Sequence, residues 1–175
     1  MTDKHTVRSQ MRTARSGFAG RPLVVPPALH ARFVSGTVVA SYVPIGGEAD
    51  PTPLTDAAAA AGCRIALPHV VDRATPIRFL AADDPLVDGP FGLRQPAANA
   101  EALEPTLILT PLVAFDRAGN RLGQGAGHYD RAFAQHPQAW RIGVAWSVQE
   151  VEAVRADTWD VPLHAIVTEK EWIVI

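Results

Sequence analysis

The chain has 175 residues, with 16 Lys and Arg against 18 Asp and Glu, a formal net charge of −2, 47% apolar residues and a single cysteine. That balance excludes a nucleic-acid surface built on basic excess, and one cysteine excludes an internal disulfide. No apolar run approaches the roughly 20 residues of a membrane helix, so residues 1–175 are expected to form one soluble globular domain.

In chain order, Met1-Thr2-Asp3-Lys4-His5 is followed by no apolar core and is not expected to be a secretory signal. Together with the lone Cys63, this suits the cytoplasm. Residues 3–16 predict a basic helix on which Lys4, Arg8, Arg12 and Arg15 fall close to one face. For a charge stripe a solvated surface is the plain alternative. Gly17, Gly20, Pro22, Pro26 and Pro27 mark a loop, followed by a short helix over Leu29–Phe33. Thr37–Tyr42 is β-branched and short, a buried strand. Residues 51–61 predict a helix that begins near Pro51 and stops at Gly62. Arg64–Leu67 predicts the next strand, closed by Pro68, giving a strand–helix–strand unit with parallel pairing.

Residues 76–80 suggest an edge strand and residues 81–104 a loop-rich stretch. Thr106–Pro111 is another core strand, which Val113–Phe115 continues or follows. A helix over 128–135, a strand over Trp140–Ala145, a helical or turn segment over 148–154 and strands at Ala165–Thr168 and Trp172–Ile175 complete the chain. Alternating strands and helices predict a layered α/β sheet. The loops after Thr37–Tyr42, after Thr106–Phe115 and after Ala145 would share a crevice at the carboxyl ends of the strands.

The most informative stretch runs from Asp116 to Arg131. Gly123, Gly125 and Gly127 occupy alternate positions, Arg121 precedes them, and Tyr129-Asp130-Arg131 opens a helix. A glycine loop feeding a helix N-terminus presents N–H groups and the positive end of the dipole to an anion. Arg121 and Arg131 add guanidinium forks for phosphate, and Asp130 adds a carboxylate for Mg²⁺. A tight turn is the competing reading of the glycines alone. The spacing is neither the dinucleotide fingerprint nor the phosphate loop of Gly-x-x-x-x-Gly-Lys-Ser/Thr.

Several blocks resemble one known family. They are Lys4-x-x-Val7-Arg8-x-x-Met11, Tyr42-x-x-x-x-x-Glu48 and Ile65-Ala66-Leu67-Pro68. The central block runs Pro111-x-x-Ala114-Phe115-Asp116-x-x-Gly119-x-Arg121-Leu122-Gly123-x-Gly125-x-Gly127-x-Tyr129-Asp130-Arg131, and Trp159-Asp160-x-Pro162-Leu163 closes the series. Together they resemble the 5-formyltetrahydrofolate cyclo-ligases over nearly the whole length. The resemblance implies a three-layer α/β/α sandwich with a mostly parallel sheet, similar to sugar-phosphate isomerases and CoA transferases. It implies an ATP- and Mg²⁺-dependent conversion of 5-formyltetrahydrofolate to 5,10-methenyltetrahydrofolate, with ADP and phosphate released. ATP would lie on Lys4, Arg8, Arg121, Leu122, Gly123, Gln124, Gly125, Ala126, Gly127, His128, Tyr129 and Asp130. Arg121 and Asp130 would be catalytic, and Asp130 and Asp160 would face the metal. Glu48 would receive the pterin, with Tyr42, Pro68, Phe79 and His128 around the folate.

Two departures from the family pattern stand out. His128 replaces the first of two tyrosines, and Ala126 stands where some relatives are basic. The alternatives are a paralogue acting on another formyl or carboxyl compound, and a non-catalytic nucleotide- or folate-binding module. Small molecules are the expected partners, with neither nucleic acid nor membrane, and a monomer is expected, with a dimer as the alternative. His69 and His164 lack metal-ligand spacing and are expected to pack or face solvent.

Overall fold

The computed structural model describes residues 3–175; Met1 and Thr2, part of the N-terminal segment not expected to be a secretory signal, lie outside them. Helix α1 (Lys4–Ser16) starts where the Asp3 carboxylate accepts the backbone N–H groups of His5 (2.8 Å) and Thr6 (3.1 Å). Helix α2 (Pro27–His30) is a single turn with proline at its start. Strand β1 (Val38–Ala40), helix α3 (Thr52–Ala60) and strand β2 (Arg64–His69) form the strand–helix–strand unit, with β1 and β2 parallel. Gly62, at φ +87°, ends α3 in the left-handed conformation that glycine tolerates.

Strand β3 (Arg78–Ala81) follows, then a small hairpin of β4 (Val87–Asp88) and β5 (Arg94–Gln95). Strand β6 (Leu107–Pro111) returns to the main sheet. A second hairpin, β7 (Ala114–Phe115) with β8 (Arg121–Leu122), leads into helix α4 (His128–Gln135). Strands β9 (Trp140–Val144), β10 (Ala165–Val167) and β11 (Trp172–Val174) end the chain.

The seven-stranded sheet has the order β11-β10-β9-β6-β1-β2-β3. Its five inner strands are parallel, and both edge strands are antiparallel to their neighbours. Side chains alternate across it with period two. Leu107, Leu109, Ala165 and Val167 join Leu29, Leu54 and Ala58 on one face. Ile108 and Ile166 join Phe115, Ala132 and Phe133 on the other. Helices α2 and α3 therefore cover one face, and α4 with the β7–β8 hairpin covers the other. This is the expected three-layer α/β arrangement.

The sequence reading needs three local corrections. Strand β2 runs through Pro68 to His69, because its pairing with β1 ends at Ala40–Ala66 and Pro68 is paired only with Phe79 of β3. The loop-rich stretch contains the β4–β5 hairpin. Arg121 and Leu122, read as part of the glycine loop, are a strand.

Candidate active site

A cavity of ≈ 570 Å³ opens at the carboxyl ends of β1, β2 and β6. Tyr42, Ile45 and Glu48 reach it from the loop after β1. Pro68, Val70 and Ile77 reach it from the end of β2 and beyond, and Leu112 reaches it after β6. Residues 121–130 make one wall, Lys4, Arg8 and Arg12 of α1 lie across it, and Asp157, Trp159 and Asp160 close the polar side. Ligands collect at such strand ends because the loops there are unconstrained by the sheet.

The glycine loop is built with its carbonyls turned to the protein. Arg8 Nε donates to Gly123 O (2.8 Å), Arg131 Nη1 donates to Ala126 O (2.9 Å) and Arg131 N donates to Gly127 O (3.2 Å). Among the described residues, the backbone N–H groups of residues 123–127 meet no protein acceptor. Gly123, Ala126 and Gly127 are half-buried, and Gln124 and Gly125 are exposed; a row of N–H groups without protein acceptors, bordering a cavity at a helix N-terminus, is open to an anionic ligand. Gly125 and Gly127 sit at φ +109° and +69°, which side chains other than glycine's resist. Gly123 does not. A Cβ there would meet nothing within 4 Å, because the space beyond it is the cavity itself. No protein contact requires glycine at 123; an incoming group that needs the backbone would.

The charges around this loop are paired in a chain. Arg121 is buried beneath it, with Nη2 on Asp130 Oδ1 at 2.8 Å and its guanidinium 4.8 Å from the Phe133 ring centroid. Its Nε is buried without a partner. Burial lowers the Arg121 pKa, partly offset by Asp130 and Asp160. Lys4 Nζ bridges Asp157 (2.6 Å) and Asp160 (3.2 Å). Burial pulls Lys4 down, but the two carboxylates outweigh it and its pKa is raised. Arg12 Nη2 donates to Gln124 Oε1 (2.6 Å), and Gln124 Nε2 donates to Glu48 Oε1 (3.3 Å). Arg15, only 4% exposed, donates to Gly46 O (3.1 Å) and Leu112 O (3.2 Å). All four cations of α1 therefore contact the cavity loops, although Arg12 stays exposed while doing so. Burial pushes the Glu48 carboxyl up, against the opposing effects of Ile45 N–H and Arg15.

The cavity gathers Lys4, Arg8, Tyr42, Glu48, Pro68, every residue from Arg121 to Asp130, and Asp160. Phe79 is the exception among the residues read from sequence: it is 2% exposed, lies in the core and packs its ring 5.6 Å from that of His136. It does not line this cavity. Arg131 also stays out of the cavity. It clips Ala126 O, Arg73 O and His128 Nδ1, and so stabilises the loop. Tyr42 is at the wall, but its hydroxyl is committed to the carbonyl of Ala49. Burial and the neighbouring Arg131 lower the His128 pKa. Arg131 can only donate, so Nδ1 of His128 accepts and the ring proton sits on Nε2. Of the two readings open for the histidines without metal-ligand spacing, packing or solvent, these two pack: His69 Nδ1 meets Pro96 O (3.0 Å), and His164 stacks on Trp140. Cys63 is buried against Val34 O. Among the described residues no three His, Cys, Asp or Glu side chains are grouped to hold a metal by themselves, and no helix is long and apolar enough to cross a membrane.

Sequence reasoning missed several cavity residues. Arg12 carried a signal, its place in the stripe. Trp159 (69% exposed) also carried one, its place beside Asp160 in the last block of the resemblance, whereas Asp157, Arg73 and Phe91 carried none, since loops far apart in sequence bring them in.

Comparison with known proteins adds an independent line. The model of the 5-formyltetrahydrofolate cyclo-ligase family matches residues 1–169. The Escherichia coli K12 protein named 5-formyltetrahydrofolate cyclo-ligase is 34% identical over 164 residues, covering 88% of this chain and 87% of that protein. The Haemophilus influenzae protein of the same name is 40% identical over 96 residues, about half of either chain (51% each). The NMR structure of Aquifex aeolicus 5,10-methenyltetrahydrofolate synthetase superposes with a TM-score of 0.73 at 29% identity, covering 98% of this chain and 92% of that one.

Proposed function

The chain belongs to the 5-formyltetrahydrofolate cyclo-ligase family, and from that premise we propose that it uses ATP to convert 5-formyltetrahydrofolate to 5,10-methenyltetrahydrofolate in this cavity. One observation carries the reading. The unpaired N–H row of residues 123–127, with open space where Gly123 lacks a Cβ, faces the same cavity as Glu48. A polyanion cradle and a polar acceptor for a ring N–H share one chamber.

The chemistry needs such a chamber. A formamide carbonyl is a poor electrophile. The formyl oxygen attacks the γ-phosphorus, and ADP leaves. The anilinic nitrogen of the p-aminobenzoyl group then adds to the activated carbon and gives up its proton. The former formyl oxygen departs as phosphate, and the methenyl bridge is left. Phosphoryl transfer asks the protein for positioning and charge neutralisation. The loop N–H groups hold the phosphate chain, Lys4 and Arg8 neutralise it from α1, and Arg121 stabilises the charge that moves onto the leaving phosphate oxygens. Glu48 accepts N–H groups of the pterin and fixes the formyl group toward the loop.

Mg²⁺ fits the residues present. It binds through one or two carboxylates, waters and substrate phosphates, not an all-protein cage. Asp130 and Asp160 would hold it at this cavity, where it would supply charge neutralisation for the phosphates. The compartment proposed with this reading is the cytoplasm, where a lone buried thiol stays reduced.

Purified protein with Mg-ATP and 5-formyltetrahydrofolate should develop methenyl absorbance in the near ultraviolet; none at micromolar enzyme would end this reading. His128 motivates a second one, a paralogue with a different formyl or carboxyl substrate, because its fixed Nε2–H replaces the family's phenol. ATP binding without a folate-induced thermal shift would favour it. ATP turnover that requires folate would exclude a non-catalytic binder.

A further inference from the structure

Arg15 is the one buried side chain of α1, and it does not line the cavity. Its guanidinium holds two neutral carbonyls from different loops. Nε donates to Gly46 O (3.1 Å) after β1, and Nη1 donates to Leu112 O (3.2 Å) after β6. Burial lowers the Arg15 pKa, and the nearby Glu48 charge only partly offsets this. A buried guanidinium without a close carboxylate partner is costly, and an apolar side chain of similar volume often serves stability as well or better. Its use is therefore to be sought in what it holds.

The turn that Arg15 holds carries Glu48. Gly46 and Gly47 sit at φ +54° and +78°. Glu48 closes the turn on itself: its N–H donates to Ile45 O (3.1 Å), and its Oε2 accepts from Ile45 N (3.1 Å). A Cβ on Gly47 would lie 3.5 Å from Arg15 O and from Ser16 Cα, so the turn rests on the end of α1. On another side Trp146 Nε1 donates to Gly47 O (3.1 Å). Helix α1 reaches the carboxylate a second time, since Arg12 orients the Gln124 amide that donates to Glu48 Oε1. At its opposite end the same helix carries Lys4 and Arg8 to the phosphate loop. Lys4 and Arg15 are about 17 Å apart along one uninterrupted helix. Rigid elements of this kind can transmit a change at one site to another.

We propose that Arg15 is a positioning residue that couples the two ligand sites: it fastens the Glu48 turn to the helix whose Lys4 and Arg8 face the nucleotide phosphates, so each substrate tightens the other. This deepens the reading above and takes from it the identity of the two ligands. Arg15 touches neither ligand and acts through Glu48.

Calorimetry with 5-formyltetrahydrofolate, with and without a non-hydrolysable ATP analogue and Mg²⁺, reads the coupling in the absence of turnover. In the wild type the analogue should tighten folate binding about fivefold or more, and folate should tighten the analogue by the same factor. Arg15→Met should keep or raise Tm. It should bind the analogue alone within about twofold of wild type and bring the coupling factor to about one. Arg15→Lys keeps the charge but not the planar fork that spans two carbonyls, so it should be uncoupled as well. Trp146→Phe frees the same turn without touching α1. It should weaken folate equally with and without the analogue and leave the coupling intact, which separates a grip on the turn from a link to the helix. A wild-type factor of one, a wild-type factor in either Arg15 variant, or an equal loss of coupling in Trp146→Phe would overturn the proposal. Coupling that both Arg15 variants abolish, in a protein that forms no methenyl product, would keep the role of Arg15 and sink the reaction. Turnover without coupling would do the reverse.

Discussion

Residues 116–122 and 123–127 are adjacent pieces of one glycine-containing stretch, yet they treat their backbone in opposite ways. In the first, Asp116 accepts from Ala118 N, Asn120 N and Val154 N at 2.9–3.0 Å, and Leu163 N donates to Gly119 O (2.9 Å). Gly119 is required by its fold, at φ +84° with a Cβ that would come within 2.9 Å of Leu163 O. In the second, the N–H groups are unpaired and Gly123 borders open space. A segment that satisfies itself is scaffold, and here it delivers Arg121. A segment that leaves donors unmet is waiting for a ligand.

The largest expected effect tests whether the scaffold's arginine serves the loop. Asp130→Asn removes the counter-charge of buried Arg121 and should cut turnover by about 10²-fold or more while weakening the dependence on Mg²⁺. Near-wild-type kinetics across a Mg²⁺ titration would detach Asp130 from the site. Next comes a paired substitution that goes to the heart of the contrast. Gly123→Ala should lower turnover by about 10²-fold with Tm nearly unchanged. Gly119→Ala should cost about 1–3 kcal/mol, a fall of several degrees in Tm, with activity per folded molecule retained. The reverse pattern in thermal melts and kinetics would break the comparison.

A smaller effect sharpens it from the α1 side. Arg8→Ala should raise the KM for ATP about tenfold through loss of a charge-assisted contact, and the difference should shrink at high salt. Equal KM at low salt would count against Arg8 as a phosphate ligand.

The smallest concerns Glu48, whose pKa burial raises above its ordinary 4.5. A carboxyl raised on folding stabilises fully below 4.5 and loses that contribution as pH rises through the folded value. At neutral pH the charged, half-buried Glu48 is therefore a burden. Glu48→Gln should raise Tm modestly at pH 7, with the gain fading in acid, and should weaken folate binding. A Tm offset that is flat with pH would assign the destabilisation to something other than this charge.

How legible this was varied with the range of the interaction. The parallel core strands announced themselves through short β-branched runs such as Thr37–Tyr42, and the loop through its glycine spacing and the helix behind it. The α1 stripe was visible, but its direction was not. Period alone cannot say whether Arg12 and Arg15 face water or meet Gln124 and Gly46. The β4–β5 hairpin was hidden because Phe91 stands where turn chemistry would look for Asn or Gly. Phe79 was misplaced because a strand near a cavity has two faces, and this ring took the one toward His136.

Helix α1 carries one further consequence. Its only buried side chain is the guanidinium-bearing Arg15, and ionic or polar contacts of Lys4, Arg8 and Arg12 tie it to the cavity loops, with Val7, Met11 and Ala14 half-buried. A helix seated this way is a tethered counter-ion. Its docking and the capture of a polyanion draw on the same positive field, so each should tighten the other, and dissolved electrolyte should loosen both in step. Amide exchange along its backbone would then report nucleotide occupancy more faithfully than the unfolding of the domain beneath it.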